Sequence, residues 1–158
     1  MSATAFVRMP QSLARLLVHL VFSTKQREPV LEDAWRHAMH EYMGGITRRC
    51  GSELLGANSV SDHVHLLIAL SRTGCAAELI REIKTGATKW IHANVPGLGG
   101  FHWQAGYGVF SVSPSHKQVV TDYIASQKGH HRQVSFQDEF RRLLERSGVQ
   151  YDERYLWG

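Results

Sequence analysis

An α+β fold is predicted, and three observations predict it. Apolar residues alternate along four short stretches, they recur at helical spacing along three longer ones, and the two kinds interleave as strand, helix, strand, strand, helix, strand, helix. The chain of 158 residues is long enough to bury one core, and 43% hydrophobic with 20% charged residues is the balance of a globular protein.

Leu13–Thr24 reads as a buried strand. Leu16, Val18, Leu20 and Phe22 share one parity, and Arg15, His19 and Ser23 fall on the other. After a turn at Glu28-Pro29, apolar residues from Leu31 to Ile46 recur at three and four, an amphipathic helix running to about Cys50. Glu53–Val60 and His63–Leu70 are two strands joined at Ser61-Asp62 as a hairpin. Ala76–Ala93 is a second helix, followed by a loop of Pro96 and nearby glycines. Trp103–Ser113 is a further strand, whose Gly106 and Gly108 admit a bulge, a bend or the close approach of something bulky. Pro114 opens a third helix reaching about Lys128.

This order suits a ferredoxin-like βαββαβ antiparallel sheet with two crossover helices on one face, plus the extra helix. The opposite face is then expected to stay open for a ligand or a second subunit. A short C-terminal helix, Ser135–Arg146, carries the apolar stripe Phe136, Phe140, Leu143 and Leu144. Residues 1–129 are read as one domain, and 130–158 as an extension that packs on it or on a partner.

A net charge of +4 and a pI near 9.3 permit a polyanionic partner without requiring one. Two cysteines, Cys50 and Cys75, make no disulfide framework, and buried thiols in a reducing cytoplasm are expected. Leu16–Phe22 is too short to span a membrane.

The 10 histidines direct attention to metal or acid–base chemistry. His63 and His65 lie on one side of a strand, about 6–7 Å apart along it, opposite in parity to Val64, Leu66 and Ile68. Both rings can then reach one divalent ion. Asp62 either makes the turn or orients a ligand ring. His19 shares the histidine face if the first and third strands are neighbours. Tyr123 and Gln127, four apart on a helix, share a face. Arg81, Lys84 and Lys89 along the second helix, with Lys25 and Arg27, form either a solvated face or a set of phosphate contacts. Trp103 and Tyr107 can stack on unpaired bases.

Five blocks in this order resemble the single-tyrosine HUH transposases, small insertion-sequence enzymes and their REP-associated relatives. They are His19–Lys25 with Arg27 and Pro29, Asp62–Leu67, Ile83-Lys84 with Lys89-Trp90-Ile91, Trp103–Ser113, and Tyr123–Gln127. The resemblance runs from about Leu17 to Lys128. It implies Tyr123 as nucleophile, and a divalent ion, Mg²⁺ or Mn²⁺, on His63, His65 and Gln127. It also implies cleavage and rejoining of single-stranded DNA beside a hairpin, through a 5′-phosphotyrosine. A homodimer is implied too, in which the helix bearing Tyr123 completes the partner's site. Two other readings stay open: a domesticated hairpin-binding protein that moves no DNA, and a metal-dependent hydrolase.

Overall fold

The computed structural model describes residues 11–127 and 134–157. Four strands form one antiparallel sheet: β1 Leu16–Ser23, β2 Glu53–Ser59, β3 His63–Leu70 and β4 Gly108–Val112, in the order β2-β3-β1-β4. Two long helices, α1 Asp33–Arg49 and α2 Ala76–Asn94, make the crossovers. The order and directions are those of the ferredoxin-like sheet that the interleaved patterns predict.

Strand parity divides the residues between two layers. Leu20, Phe22, Val64, Leu66 and Ile68 meet Met39, Met43 and Ile46 of α1 and Leu79, Ile80 and Ile83 of α2 in the main core. Gly86 lets the two helices close up, because a Cβ there would collide with Ile46.

The other face departs from expectation. It is covered from within the same chain by two further helices, α3 Lys117–Ala125, reached through a 3-10 turn at Pro114–His116, and α4 Phe136–Arg146. The apolar stripe of α4 is the reason. Phe136, Phe140 and Leu144 pack with Val21 and Phe110, and Leu143, Tyr151, Leu156 and Trp157 close over them. Ser135 caps α4 by accepting a hydrogen bond from the Asp138 amide at 3.2 Å. Gly108 is where Phe140 enters, since a Cβ on residue 108 would lie 2.5 Å from the Phe140 ring. Of the alternatives open for that glycine, close approach is the one realised.

The last strand is shorter than the Trp103–Ser113 predicted. Residues 101–107 are irregular, and Trp103 forms only an isolated bridge with Thr24. Competing partners explain this. Lys84 Nζ donates to the carbonyls of Gln104 and Gly106, at 2.8 Å each. The Gln104 side chain accepts from the Ser23 amide. Cys50 and Cys75 are exposed, not buried, because they sit at the ends of α1 and α2. The third helix stops at Ala125, where the Ser126 amide turns back to the Asp122 and Ile124 carbonyls, so it falls short of the expected Lys128 and Gln127 lies just beyond it. The expected domain boundary at Gly129 lies outside the described residues. Among the described residues, no helix is long and apolar enough to cross a membrane.

Candidate active site

Antiparallel pairing of β1 with β3 places Val21 opposite His65 and Ser23 opposite His63, and sets His19 two residues along on the same face. His63 and His65 are fully buried, and His19 nearly so. Each ring has a polar partner. His63 Nδ1 lies 2.6 Å from Asp62 Oδ1, so Asp62 touches a histidine as well as serving the turn. His65 Nδ1 lies 2.8 Å from His19 Nε2. Partners at Nδ1 of this kind orient an imidazole and set its tautomer.

The group that meets these rings is Glu139 of α4, only 2% exposed. Its Oε1 lies 2.7 Å from His65 Nε2. Ligand atoms of His63, His65 and Glu139 all lie within 4.8 Å of one another. One divalent ion, with bonds of about 2.0–2.2 Å, bridges such a span after small side-chain movements. Two imidazoles and a carboxylate, each oriented, are a donor set that fits a divalent metal.

Tyr123, on α3, stands against the same histidines, with ring centroids 6.1 Å from His19 and 5.8 Å from His65. Asn58 of β2 anchors the end of that helix by donating to the Ile124 carbonyl at 2.9 Å. Gln127 is fully buried, and its amide donates to the Tyr123 carbonyl at 3.2 Å. Burial pushes the Tyr123 phenol above its ordinary pKa, and a hydrogen bond to Glu139 and that carboxylate's charge push it further. A hydrogen bond from Gln127 and the charge of Arg146 pull the other way. Burial, then the neighbouring His65, lowers His19 to about 3, so its ring is neutral at ordinary pH.

The candidate DNA contacts separate into groups. Arg81, Lys84, Lys89, Trp103 and Tyr107 line one cavity of about 550 Å³ on the α2 side. Within it, Lys84 is engaged by backbone carbonyls, and burial lowers its pKa to about 8. Trp103 is packed edge-on against Phe22 and Phe101 in the core, whereas Tyr107 is exposed. Lys25 is exposed, and the Arg27 guanidinium lies over Trp157, 5.5 Å from the ring centroid.

Glu139 is the site residue that the sequence reading missed. A signal was present: a carboxylate at the third position after Phe136, inside an apolar stripe, is a charge aimed where the helix buries its surface.

A split βαβ sheet with an inward pair of strand histidines and a helix-borne tyrosine beside them defines a class of DNA-processing proteins. The chain belongs to the IS200-like transposase family (Y1_Tnp), whose pattern matches residues 12–127. It is 25% identical to the ISDra2 transposase TnpA of Deinococcus radiodurans over 118 residues, 72% of this chain and 84% of that one. A crystal structure from D. radiodurans R1, of a protein assigned as a transposase, superposes with a TM-score of 0.62 at 25% identity. The match covers 76% of this chain and 96% of that one. A REP-associated tyrosine transposase, solved bound to a REP hairpin, shares the fold with a TM-score of 0.60 at 16% identity, over 82% and 76%. The family match ends at Gln127, so α4 and Glu139 lie beyond it.

Proposed function

We propose that this chain cuts and rejoins single-stranded DNA through a covalent 5′-phosphotyrosine on Tyr123. The observation that carries the proposal is the Tyr123 ring standing against the buried His19, His65 and Glu139 cluster. Holding five polar side chains, His19, His63, His65, Gln127 and Glu139, out of water is costly, and a protein that only binds a hairpin has no use for it. In the first step the Tyr123 phenol gives up its proton as its oxygen bonds to the scissile phosphorus. The bond from phosphorus to the 3′-oxygen breaks, and the departing 3′-oxygen takes up a proton, so that none is gained or lost overall. In the second, a 3′-hydroxyl of another strand attacks the same phosphorus, and Tyr123 leaves and regains its proton. The phosphodiester energy is kept throughout, which a water nucleophile would not achieve.

His63 and His65 would hold the divalent metal, Mg²⁺ or Mn²⁺, with Gln127 or Glu139 completing the set; the metal supplies neutralisation of charge on the scissile phosphate. Gln127 also steadies the phenol, and His19 and Asp62 fix the two rings. The strand is read as reaching the α2-side cavity, where Arg81 and Lys89 meet phosphates and Tyr107 stacks on a base, with Lys25 nearer the site. A hairpin beside the cleavage point is the substrate feature we assign, and a homodimer working in the cytoplasm is the form in which one tyrosine per chain joins two ends.

The test is incubation with labelled single-stranded DNA from the flanking region, with Mn²⁺ or Mg²⁺, and a denaturing gel. We expect a protein–DNA adduct that disappears with Tyr123→Phe and with chelator. Tight binding with no adduct in either metal would replace the enzyme with a hairpin-binding protein. Cleavage that survives Tyr123→Phe would remove Tyr123 as the nucleophile.

A further inference from the structure

One face of α4 repeats at helical spacing as Glu139, Arg142, Leu143 and Arg146. Those four residues close one side of a cavity of about 190 Å³, and Tyr123, His19, Val119 and Val120 close the other. This is the volume of roughly six water molecules at about 30 Å³ each, room for a phosphate with part of its sugar.

The arginines of α4 are not alike. Arg141 points elsewhere and is neutralised, bonded to Glu153 and to Asp138. Arg142 and Arg146 are exposed, and among the described residues neither has an ion pair or hydrogen bond. Among the described residues, the one carboxylate lining the cavity is Glu139, and it is directed at His65 and Tyr123. Two guanidiniums without acidic partners therefore frame the opening above the nucleophile. Guanidinium forks match phosphate oxygens in shape and charge, and the apolar wall of Val119, Val120 and Leu143 suits a sugar or base edge.

We propose that Arg142 and Arg146 are the phosphate-binding pair of the cleavage site, so that docked α4 forms part of the DNA-binding surface and is more than a cover over the histidines. The inference rests on the reading of Tyr123 as the nucleophile, since the phosphates bound there are those flanking its target.

The test uses the full chain and a short fluorescein-labelled single-stranded oligonucleotide, in chelator, with binding followed by anisotropy across a salt series. The double variant Arg142→Gln/Arg146→Gln should bind on the order of tenfold more weakly. Its log–log salt slope should flatten by about 1.4, roughly 0.7 for each phosphate that goes unneutralised. The double lysine variant should recover most of the slope, and Arg141→Gln should leave it unchanged. Circular dichroism and thermal melting check that each variant folds. Adduct formation by the glutamine variant should fall along with binding.

An unchanged slope and affinity in the glutamine variant, with wild-type adduct formation intact, would overturn the arginine pair alone. Faster adduct formation in that variant would overturn it too, by making α4 simply a cover. A wild-type chain that neither binds the oligonucleotide nor forms an adduct would overturn this inference and the proposed function together.

Discussion

The two faces of the sheet are built from the same strands by opposite rules. Toward α1 and α2, the residues of β1 and β3 are uniformly apolar and pack as a conventional core. Toward α3 and α4, the intervening positions hold His19, His63 and His65, buried just as deeply. Apolar burial needs only volume and shape, and contributes stability at about 25 cal/mol per Å². Buried polar groups each require a partner, and the second face supplies them in a chain from Asp62 to His63 and from His19 through His65 to Glu139. The contrast separates a layer that supplies stability from one to which the proposed function assigns the chemistry.

Adjacent residues of β3 offer the sharpest way to break that comparison. His65→Gln retains an amide for His19 and Glu139, yet removes the imidazole. We expect adduct formation to fall by about 10²–10³-fold while the melting temperature changes little. Leu66→Ala, one residue on and facing the other layer, should instead lower stability by about 2–5 kcal/mol in denaturant titrations. Similar melting losses in both variants would mean that the faces are not energetically distinct.

Phe140→Ala is the next test, since that ring docks α4 through the opening at Gly108. A loss of about 3 kcal/mol is expected, the low end for a buried phenylalanine. It should be felt mainly as faster hydrogen exchange in Phe136–Arg146 with the α1–α2 core protected, because the two faces are served by separate apolar clusters. Uniform loss of protection would join the faces into one cooperative unit.

The smallest effect concerns His40, on α1, whose Nε2 lies 2.9 Å from Ser59 Oγ. Burial lowers its pKa from 6.5 to about 4, with His37 and Arg36 adding to the effect. The unfolded chain therefore takes up a proton at higher pH than the folded one. The stability that follows is complete above about pH 6.5, and is lost as pH falls toward 4. His40→Gln should flatten the stability profile in that window, removing a slope on the order of 1 kcal/mol per pH unit. An unaltered profile would assign the pH dependence to other groups.

Much of this was legible in the sequence because strand parity and helical spacing are local properties. The alternation Val64, Leu66, Ile68 against His63, His65 sets which residues share a face whatever covers it. What covers the histidine face was not legible. The stripe of α4 announces that the helix buries a side, but not against which surface, and Glu139 gains its meaning only once Phe140 is seated. The over-long last strand has a similar origin. Residues 103–107 look extended and aromatic, and what diverts them is Lys84, a residue distant in sequence. Trp103 shows the same limit, because an aromatic beside glycines reads equally as a base platform or as the core residue it is.

The missing side chain at Gly108 has a consequence beyond this one molecule. Residue 108 and the ring of Phe140 occupy a single shared volume, so neither position can vary alone while α4 stays seated. Among descendants of this chain, a larger residue at 108 should be inherited together with a smaller one at 140. That covariation would mark, from sequence alone, the lineages in which the tail still closes over the histidines.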